Sequence, residues 1–371
     1  MEDRIAVIVF AWILAFLSIS PFVIGLWHLR FRWKRFPAKS SGQFPKVSIL
    51  VAARNEEKDL PRLLASLDKL SYPAEKLDFL FANDQSEDHT LEILHQWAAG
   101  KENVTIISTE KLEPGRNGKA KALAELGKLC QGEILFLTDA DCEVPRDWIQ
   151  SLLAAFIGKT GMVLGITQVA GRSLLGRFQE LDWWMTLGFV KVAADWGIPT
   201  TGLGNNMSIS REAYFASGGF EGVSKSLTED LEISRKIRQA GFTISHQVSE
   251  KALARTKAEE SLPRLLKQRK RWMSGVVTLP WYWQLALGLQ FALYPLISYL
   301  ILSNWFFGLL FFMLKVLLHS SFIQHFASKT GQSLKRYLLF LFDFYFLPLT
   351  LLSILYYFWP SSTEWKSRKY R

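Results

Sequence analysis

Long apolar stretches at both ends of this 371-residue chain set the terms for everything between them. From about Ile5 to Trp27 there is no Asp, Glu, Lys or Arg, and the run is long enough to cross a bilayer as one helix. A second apolar region extends from about Leu285 to Leu318, and a third, past the polar loop of Ser328 to Arg336, from Tyr337 to Trp359. A chain built this way is expected to be held in a membrane at both ends, with a water-exposed body in the middle.

Charge placement predicts its orientation. Arg30, Arg32, Lys34 and Arg35 follow the first apolar run, and the last residues, Lys366-Ser-Arg-Lys-Tyr-Arg371, are also basic. The positive-inside rule then predicts a cytoplasmic body and tail, a short N-terminus outside, and an even number of C-terminal crossings. Two crossings satisfy it. The stretch from Leu285 to Leu318 is longer than one span needs, so a tilted helix, an interfacial lead-in or a hairpin near Asn304, giving three spans, stays open. The N-terminal run is long for a signal peptide and lacks a small-residue cleavage site, so it reads as an uncleaved anchor. Lys315 and Asp343 are charges inside apolar stretches and are expected near an interface or facing another helix. The organisation expected is an anchor at 1–29, a cytoplasmic domain at 30–280 with an interfacial helix near 261–275, a C-terminal membrane region at 281–360 and a basic tail at 361–371. Such a chain is expected in the cell membrane.

The formal net charge of +10 invites a nucleic-acid partner. Basic clusters flank the apolar stretches, however, where anionic headgroups attract them. No ribonucleoprotein motif, zinc-finger spacing or basic zipper accompanies the charge, so membrane lipids are retained as partners and nucleic acid is not. With only Cys130 and Cys142 there is no disulfide framework, and Cys142 reads as a small apolar filler.

Between Lys46 and Phe156, strand-like runs at Val47 to Ala53, Leu77 to Ala82, Val104 to Ile107 and Glu133 to Thr138 alternate with helical patterns. Leu60, Leu63, Leu64 and Leu67 stand at helical spacing, as do Leu91 and Leu94. The alternation predicts an α/β, doubly wound sheet, whose ligands bind at the carboxyl ends of strands. Those ends are polar: Ala53-Arg-Asn-Glu-Glu57, Asn83-Asp-Gln-Ser-Glu-Asp88 and Thr138-Asp-Ala-Asp141. Asp139 and Asp141, one residue apart where a strand gives way to a loop, are a seat for a hard divalent cation, Mg²⁺ or Mn²⁺, holding a diphosphate. Taken singly each group has a plainer role as a turn or N-cap residue, and it is their gathering at successive strand ends that points to a site. No G-x-G-x-x-G follows the first strand and no Walker-type lysine is present, which disfavours a dinucleotide cofactor. A nucleotide can bind without those loops, through a carboxylate such as Asp84 and a cation such as Lys119.

Further on, Thr201-Gly-Leu-Gly-Asn-Asn-Met-Ser-Ile-Ser210 reads as a Gly-rich loop entering a short strand, and Ser217-Gly-Gly-Phe220 as a second loop. Leu227-Thr-Glu-Asp-Leu231 opens a helix, where Glu229 and Asp230 are either capping carboxylates or include a general base. Leu265 to Met273 is basic and aromatic. Gln268, Arg271 and Trp272, at i, i+3 and i+4, share one helix face there.

The ordered set Asn83-Asp84, Asp139-Ala-Asp141, Thr228-Glu-Asp230 and Gln268-Arg-Lys-Arg-Trp272 resembles the family 2 glycosyltransferases, including the membrane-embedded synthases marked by D, DxD, ED and QxxRW. The resemblance covers about Lys46 to Gly275. Asn205 to Ser210 and Gly218 to Phe220 also resemble the stretch before that family's catalytic acid. It implies a GT-A (nucleotide-diphospho-sugar transferase, Rossmann-like) fold and an inverting, metal-dependent transfer from a nucleotide sugar, usually a UDP-sugar. By resemblance, Asp84 contacts the nucleoside, Asp139 the nucleotide or its metal, and Asp141 the metal. Asp230, with Glu229 beside it, supplies the base, while Gln268, Arg271 and Trp272 close the acceptor end around the diphosphate. Asn55, Glu56 and Lys119 resemble donor-binding positions. One departure is Asn83 where the motif has an aspartate. The small membrane portion favours one or a few sugars added to a lipid or membrane-bound glycan acceptor, over a processive polysaccharide synthase or a silent nucleotide-sensing scaffold.

Overall fold

The structure is a computed structural model. It describes all residues except Met1 and residues 38–43, 111, 113–115, 224–225, 362, 366–367 and 371, and except the side chains of Glu2, 363–365 and 368–370. Lys366 and Arg371 of the basic tail therefore lie outside the described residues. The strands are β1 (Val47–Ala53), β2 (Leu77–Asn83), β3 (Val104–Ser108), β4 (Ile134–Thr138), β5 (Thr160–Leu164), β6 (Ile166–Ala170), β7 (Asn206–Ser210), β8 (Thr243–His246), β9 (Leu253–Lys257), β10 (Thr363–Trp365) and β11 (Arg368–Tyr370). The helices are α1 (Glu2–Phe31), α2 (Leu60–Leu67), α3 (Thr90–Ala98), α4 (Gly118–Leu129), α5 (Trp148–Leu153), α6 (Leu174–Asp195), α7 (Arg211–Ala216), α8 (Glu229–Gln239), α9 (Leu262–Val276), α10 (Trp281–Ser303), α11 (Trp305–Ser328) and α12 (Arg336–Phe358). The four strands expected from the sequence end within a residue of their expected limits.

The chain divides into two compact units. The sheet unit comprises Lys34–Ala170, Ala193–Ala258 and Ser361–Arg371, and the apolar unit Met1–Trp33, Gly171–Val192 and Glu259–Pro360. The central sheet has the order β3-β2-β1-β4-β7-β5-β8. β3, β2, β1 and β4 are parallel, as continuous apolar runs such as Val47-Ser-Ile-Leu-Val51, buried at every position, require of strands covered on both faces. Phe81 and Phe136 are wholly buried, each contributing about 1.5–3 kcal/mol of transfer free energy. Trp97 packs edge-on against Phe79 and Phe81 at 5.4 and 5.5 Å, and Trp148 against Phe136 at 5.0 Å.

The sheet is not parallel throughout. β7 runs antiparallel between β4 and β5, in the register Thr138↔Asn206. The start of β7 is therefore beside the carboxyl end of β4, which brings the Gly-rich segment before Asn206 alongside Asp139 and Asp141. Beyond β7, β5 and β8 pair in parallel, and β6 and β9 form a separate parallel pair.

In the apolar unit, α1, α10, α11 and α12 are long and apolar enough to cross a membrane. The stretch from Leu285 to Leu318 is interrupted at Asn304, whose extended backbone ends α10 and whose side chain caps α11 by accepting from the Phe307 N–H at 3.3 Å. Three C-terminal helices of spanning length result, where the sequence favoured two. Ala11, Ala15 and Ile19 of α1 pack with Leu293, Ile297 and Leu300 of α10 and Phe311 of α11. Lys315 and Asp343 are buried and ion-paired with each other, with Tyr294 and His319 joining the cluster. Residues 171–192 and 259–280 pack within this unit.

Candidate active site

Two strained corners open the site. Asn55, after β1, and Gln85, after β2, are the non-glycine residues with positive φ among the described residues, at 52° and 56°. They are laced together: the Asn55 N–H donates to Ser86 Oγ at 3.1 Å, and Asn55 Oδ1 accepts from the Glu87 N–H at 2.9 Å. The Glu56 N–H donates to Thr90 Oγ1 at 2.7 Å. Asp84 is buried between these corners. Its carboxylate accepts from Thr109 Oγ1 at 3.0 Å and its carbonyl from the Arg54 guanidinium at 2.7 Å.

The turn carrying Asp139 and Asp141 is closed by the Cys142 N–H donating to the Asp139 carbonyl at 3.0 Å, and Arg62 of α2 donates to the Asp141 carbonyl. Cys130 and Cys142 are buried and free. Facing the turn is the first residue pair of α4. Asn117 caps this helix, its Oδ1 accepting from the Lys119 and Ala120 N–H groups, while its Nδ2 reaches Glu229 Oε2 at 3.1 Å and the Ser226 carbonyl at 2.7 Å. Lys119 Nζ lies 2.5 Å from Asp139 Oδ1 and 3.1 Å from Glu229 Oε1. Burial alone would pull this ammonium down, but Asp139, Glu229 and Asp230 outweigh it and hold the pKa above its ordinary range.

Asp230 enters from the start of α8. Its Oδ2 accepts from the Gly204 N–H at 3.1 Å and its Oδ1 from the Leu231 N–H at 2.8 Å. The approach requires glycine: a Cβ on Gly202 would stand 2.1 Å from the Asp230 carbonyl oxygen. Burial, then the Glu229 carboxylate, push the Asp230 carboxyl up to about 6, against the Lys119 ammonium and the two N–H donors.

The structure thus brings Lys119, Asp139, Glu229 and Asp230 into one cluster, with Asp141 in the same turn as Asp139, and Asn55, Glu56 and Asp84 at the neighbouring strand ends. Gln268, Arg271 and Trp272 lie on α9 in the apolar unit. There Gln268 Nε2 donates to Glu259 Oε1 at 3.0 Å, and Trp272 meets Trp183 edge-on at 5.7 Å. Sequence reasoning passed over Asn117, Arg62, Thr109 and Lys257. Asn117 carried a signal, since an Asn directly before Gly118-Lys-Ala-Lys is an N-cap pattern. Lys257, ion-paired with Asp59 and within the field of Asp141, carried none, because the β6–β9 pairing that delivers it is not local.

The sheet with its antiparallel β7 has the GT-A fold. The chain matches the family described as glycosyl transferase family 21 over residues 10–371, and belongs to it. The likeness to family 2 drawn from the four signatures agrees with this at the level of a glycosyltransferase. The probable glycosyltransferase YdaM of Bacillus subtilis is 28% identical over 245 residues, 63% of this chain and 56% of its own length. A beta-monoglucosyldiacylglycerol synthase of Synechocystis is 26% identical over 249 residues, 64% of this chain and 49% of its own length. The chain spans about half the length of these two relatives. A mannosyltransferase from Pyrobaculum calidifontis, solved with GDP-Man and Mn²⁺, matches 95% of this chain and 99% of its own at a TM-score of 0.58 and 16% identity, a likeness of fold.

Proposed function

We propose that this glycosyltransferase is an inverting, metal-dependent enzyme that moves a sugar from a nucleotide sugar, a UDP-sugar, to a hydroxyl of a membrane lipid, from a cytoplasmic sheet unit. The observation that carries the reading is the cluster in which one ammonium, Lys119, faces three carboxylates, Asp139, Glu229 and Asp230. Such an excess of negative charge at the edge of a sheet is costly unless a cation balances it. The lipid acceptor is supported by the beta-monoglucosyldiacylglycerol synthases among the relatives and by the helices of spanning length.

The donor set fits a hard cation. Asp139 and Asp141 offer oxygen ligands, and among the described residues no three His, Cys, Asp or Glu side chains gather as a metal site. The remaining positions of Mg²⁺ or Mn²⁺ would fall to diphosphate and water, the usual arrangement for these ions. The mannosyltransferase of like fold was solved with Mn²⁺. When bound, the cation supplies positive charge to the diphosphate.

The chain's own residues divide the remaining tasks. Asp84 accepts from the nucleoside, with Asn55 and Glu56 shaping the neighbouring corner. Lys119 meets donor charge and restrains Asp139 and Glu229. Asp230, fixed by the Gly204 and Leu231 N–H groups, takes the proton of the acceptor hydroxyl as it attacks the sugar from the face opposite the diphosphate. Gln268, Arg271 and Trp272 are assigned to the acceptor end by the resemblance of their motif alone, Arg271 being the group suited to developing negative charge.

The test is to incubate full-length protein in phospholipid vesicles with a panel of UDP-sugars and membrane lipids and to identify products by mass. A single sugar of inverted anomeric configuration on a lipid is expected; a retained configuration or a long polymer would overturn the reading. Chelation should abolish turnover, and Asp141→Ala should no longer respond to added Mn²⁺. Undiminished transfer in chelator would remove the metal from the reading.

A further inference from the structure

Three side chains on one face of α6 engage α9 and the segment leading into it. Gln179, Asp182 and Trp183 stand at i, i+3 and i+4. Gln179 grips the main chain of Glu259 from both sides: its Nε2 donates to the Glu259 carbonyl at 2.9 Å, and its Oε1 accepts from the Glu259 N–H at 2.9 Å. The Glu259 carboxylate in turn accepts from Gln268 Nε2. Asp182, only 2% exposed, is ion-paired with Arg269. The Arg269 guanidinium also lies 5.5 Å from the centroid of the Trp272 ring, whose other neighbour is Trp183.

The amphipathic sequence of α9 fixes its rotation only coarsely. Arg264, Lys267, Lys270 and Arg271 share one face of about 120° at 100° per residue, whereas Arg269 falls opposite them among Leu262, Leu265, Leu266, Met273 and Val276, where Asp182 meets it. Rotation by one residue is about 100°, enough to turn Gln268, Arg271 and Trp272 away from whatever they address. Directional contacts refine the roll that amphipathicity sets, and a buried ion pair is satisfied only in a narrow range of positions because either charge left alone is costly.

We propose that Gln179, Asp182 and Trp183 are positioning residues that set the roll and axial register of α9, and thereby present Gln268, Arg271 and Trp272 as a set. The proposal rests on the reading above, in which those three act at the acceptor end. The mechanism is steric and electrostatic: Gln179 fixes the entry of α9 through Glu259, Asp182 fixes its roll through Arg269, and Trp183 backs the ring of Trp272. None of the three α6 residues is assigned contact with donor or acceptor.

In full-length protein in phospholipid vesicles, Asp182→Asn should lower kcat for the donor and lipid pair that the wild type turns over by roughly 10- to 100-fold, as a misplacement of about 1 Å does. Affinity for UDP with Mn²⁺ and the donor KM should stay within about twofold, which a general loss of fold would not allow. The charge-swapped double variant Asp182→Arg/Arg269→Asp should regain most of the lost kcat. Should Asp182→Asn fail to accumulate, Gln179→Leu leaves the ion pair intact and is read the same way. A kcat equal to wild type in these variants overturns the positioning role and leaves the function standing. So does a parallel fall in UDP affinity and kcat without rescue by the swap. A wild type that transfers no sugar overturns the function first, and the positioning role with it.

Discussion

Each unit of this molecule contains a lysine paired with acid, and the two clusters are built on opposite principles. In the sheet unit, Lys119 stands against Asp139, just past β4, and Glu229 and Asp230, at the start of α8. In the apolar unit, Lys315 of α11 is paired with Asp343 of α12, with Tyr294 of α10 donating to the same carboxylate at 3.2 Å and His319 Nδ1 at 2.9 Å from it. The second cluster balances one ammonium with one carboxylate, the condition under which charge survives in an apolar helix bundle. The first has more negative charge than its lysine neutralises, on a partly open edge. Imbalance is tolerated where a charged ligand can complete it, and balance is imposed where none can enter. The difference separates a site from a clasp between helices.

The comparison breaks most decisively at Asp230. Asp230→Asn keeps the shape and one of the two N–H contacts, since its amide nitrogen cannot accept the other, and it removes proton acceptance, so kcat should fall by roughly 10²–10⁴-fold. UDP binding in the presence of Mn²⁺ should persist, as measured by equilibrium binding to vesicle-embedded protein. Retained turnover would show that the anionic excess serves binding alone. In the other cluster the largest effect should be on folding. Asp343→Ala leaves the buried Lys315 ammonium without its counter-charge, a loss of about 3–5 kcal/mol that should appear as a lowered thermal midpoint in detergent. Adding Lys315→Met to Asp343→Ala removes both charges and should recover most of that loss. If the double variant fares no better than the single, Asp343 has a role beyond balancing Lys315.

Much of this was legible in the chain before folding was considered. The strands of the parallel half betray themselves as apolar runs because both faces are covered, and Asn55, Asp84 and Asp139 are then placed by their position just past a strand end. Asp230 was legible as a carboxylate opening α8, but its meeting with Lys119 was not, because it depends on β7 entering the sheet antiparallel beside β4. That pairing spans Thr138 to Asn206 and leaves no local pattern. The place of α6 was hidden for a related reason: its contacts with α9 are long-range, and Gln179 and Asp182 look like ordinary polar positions on a helix. The break at Asn304 was one of three possibilities, since a single capping Asn between two apolar runs differs little from a polar residue within one long helix. Lys315 and Asp343 were visible as anomalies, yet only the packing of α11 on α12 shows that each is the other's partner.

The finest distinction between the clusters is the tuning of Asp230. With its carboxyl pushed up to about 6, Asp230, the base in the proposed reaction, is ionised above that pH and protonated below it. The kcat/KM profile, which reports the free enzyme, should therefore be flat above about pH 6 and fall tenfold per unit beneath it. Lys119 opposes the rise, because a nearby ammonium favours the ionised carboxylate. Lys119→Met should consequently shift the acid limb to higher pH, whatever it costs in amplitude through weaker donor binding. The direction discriminates: if Lys119 served only to hold the donor, the limb would keep its position while the whole profile dropped. Profiles for wild type and Lys119→Met, taken at fixed ionic strength with the same donor and lipid, decide between the two. A limb that moves to lower pH in the variant would contradict the sign of the Lys119 effect on Asp230.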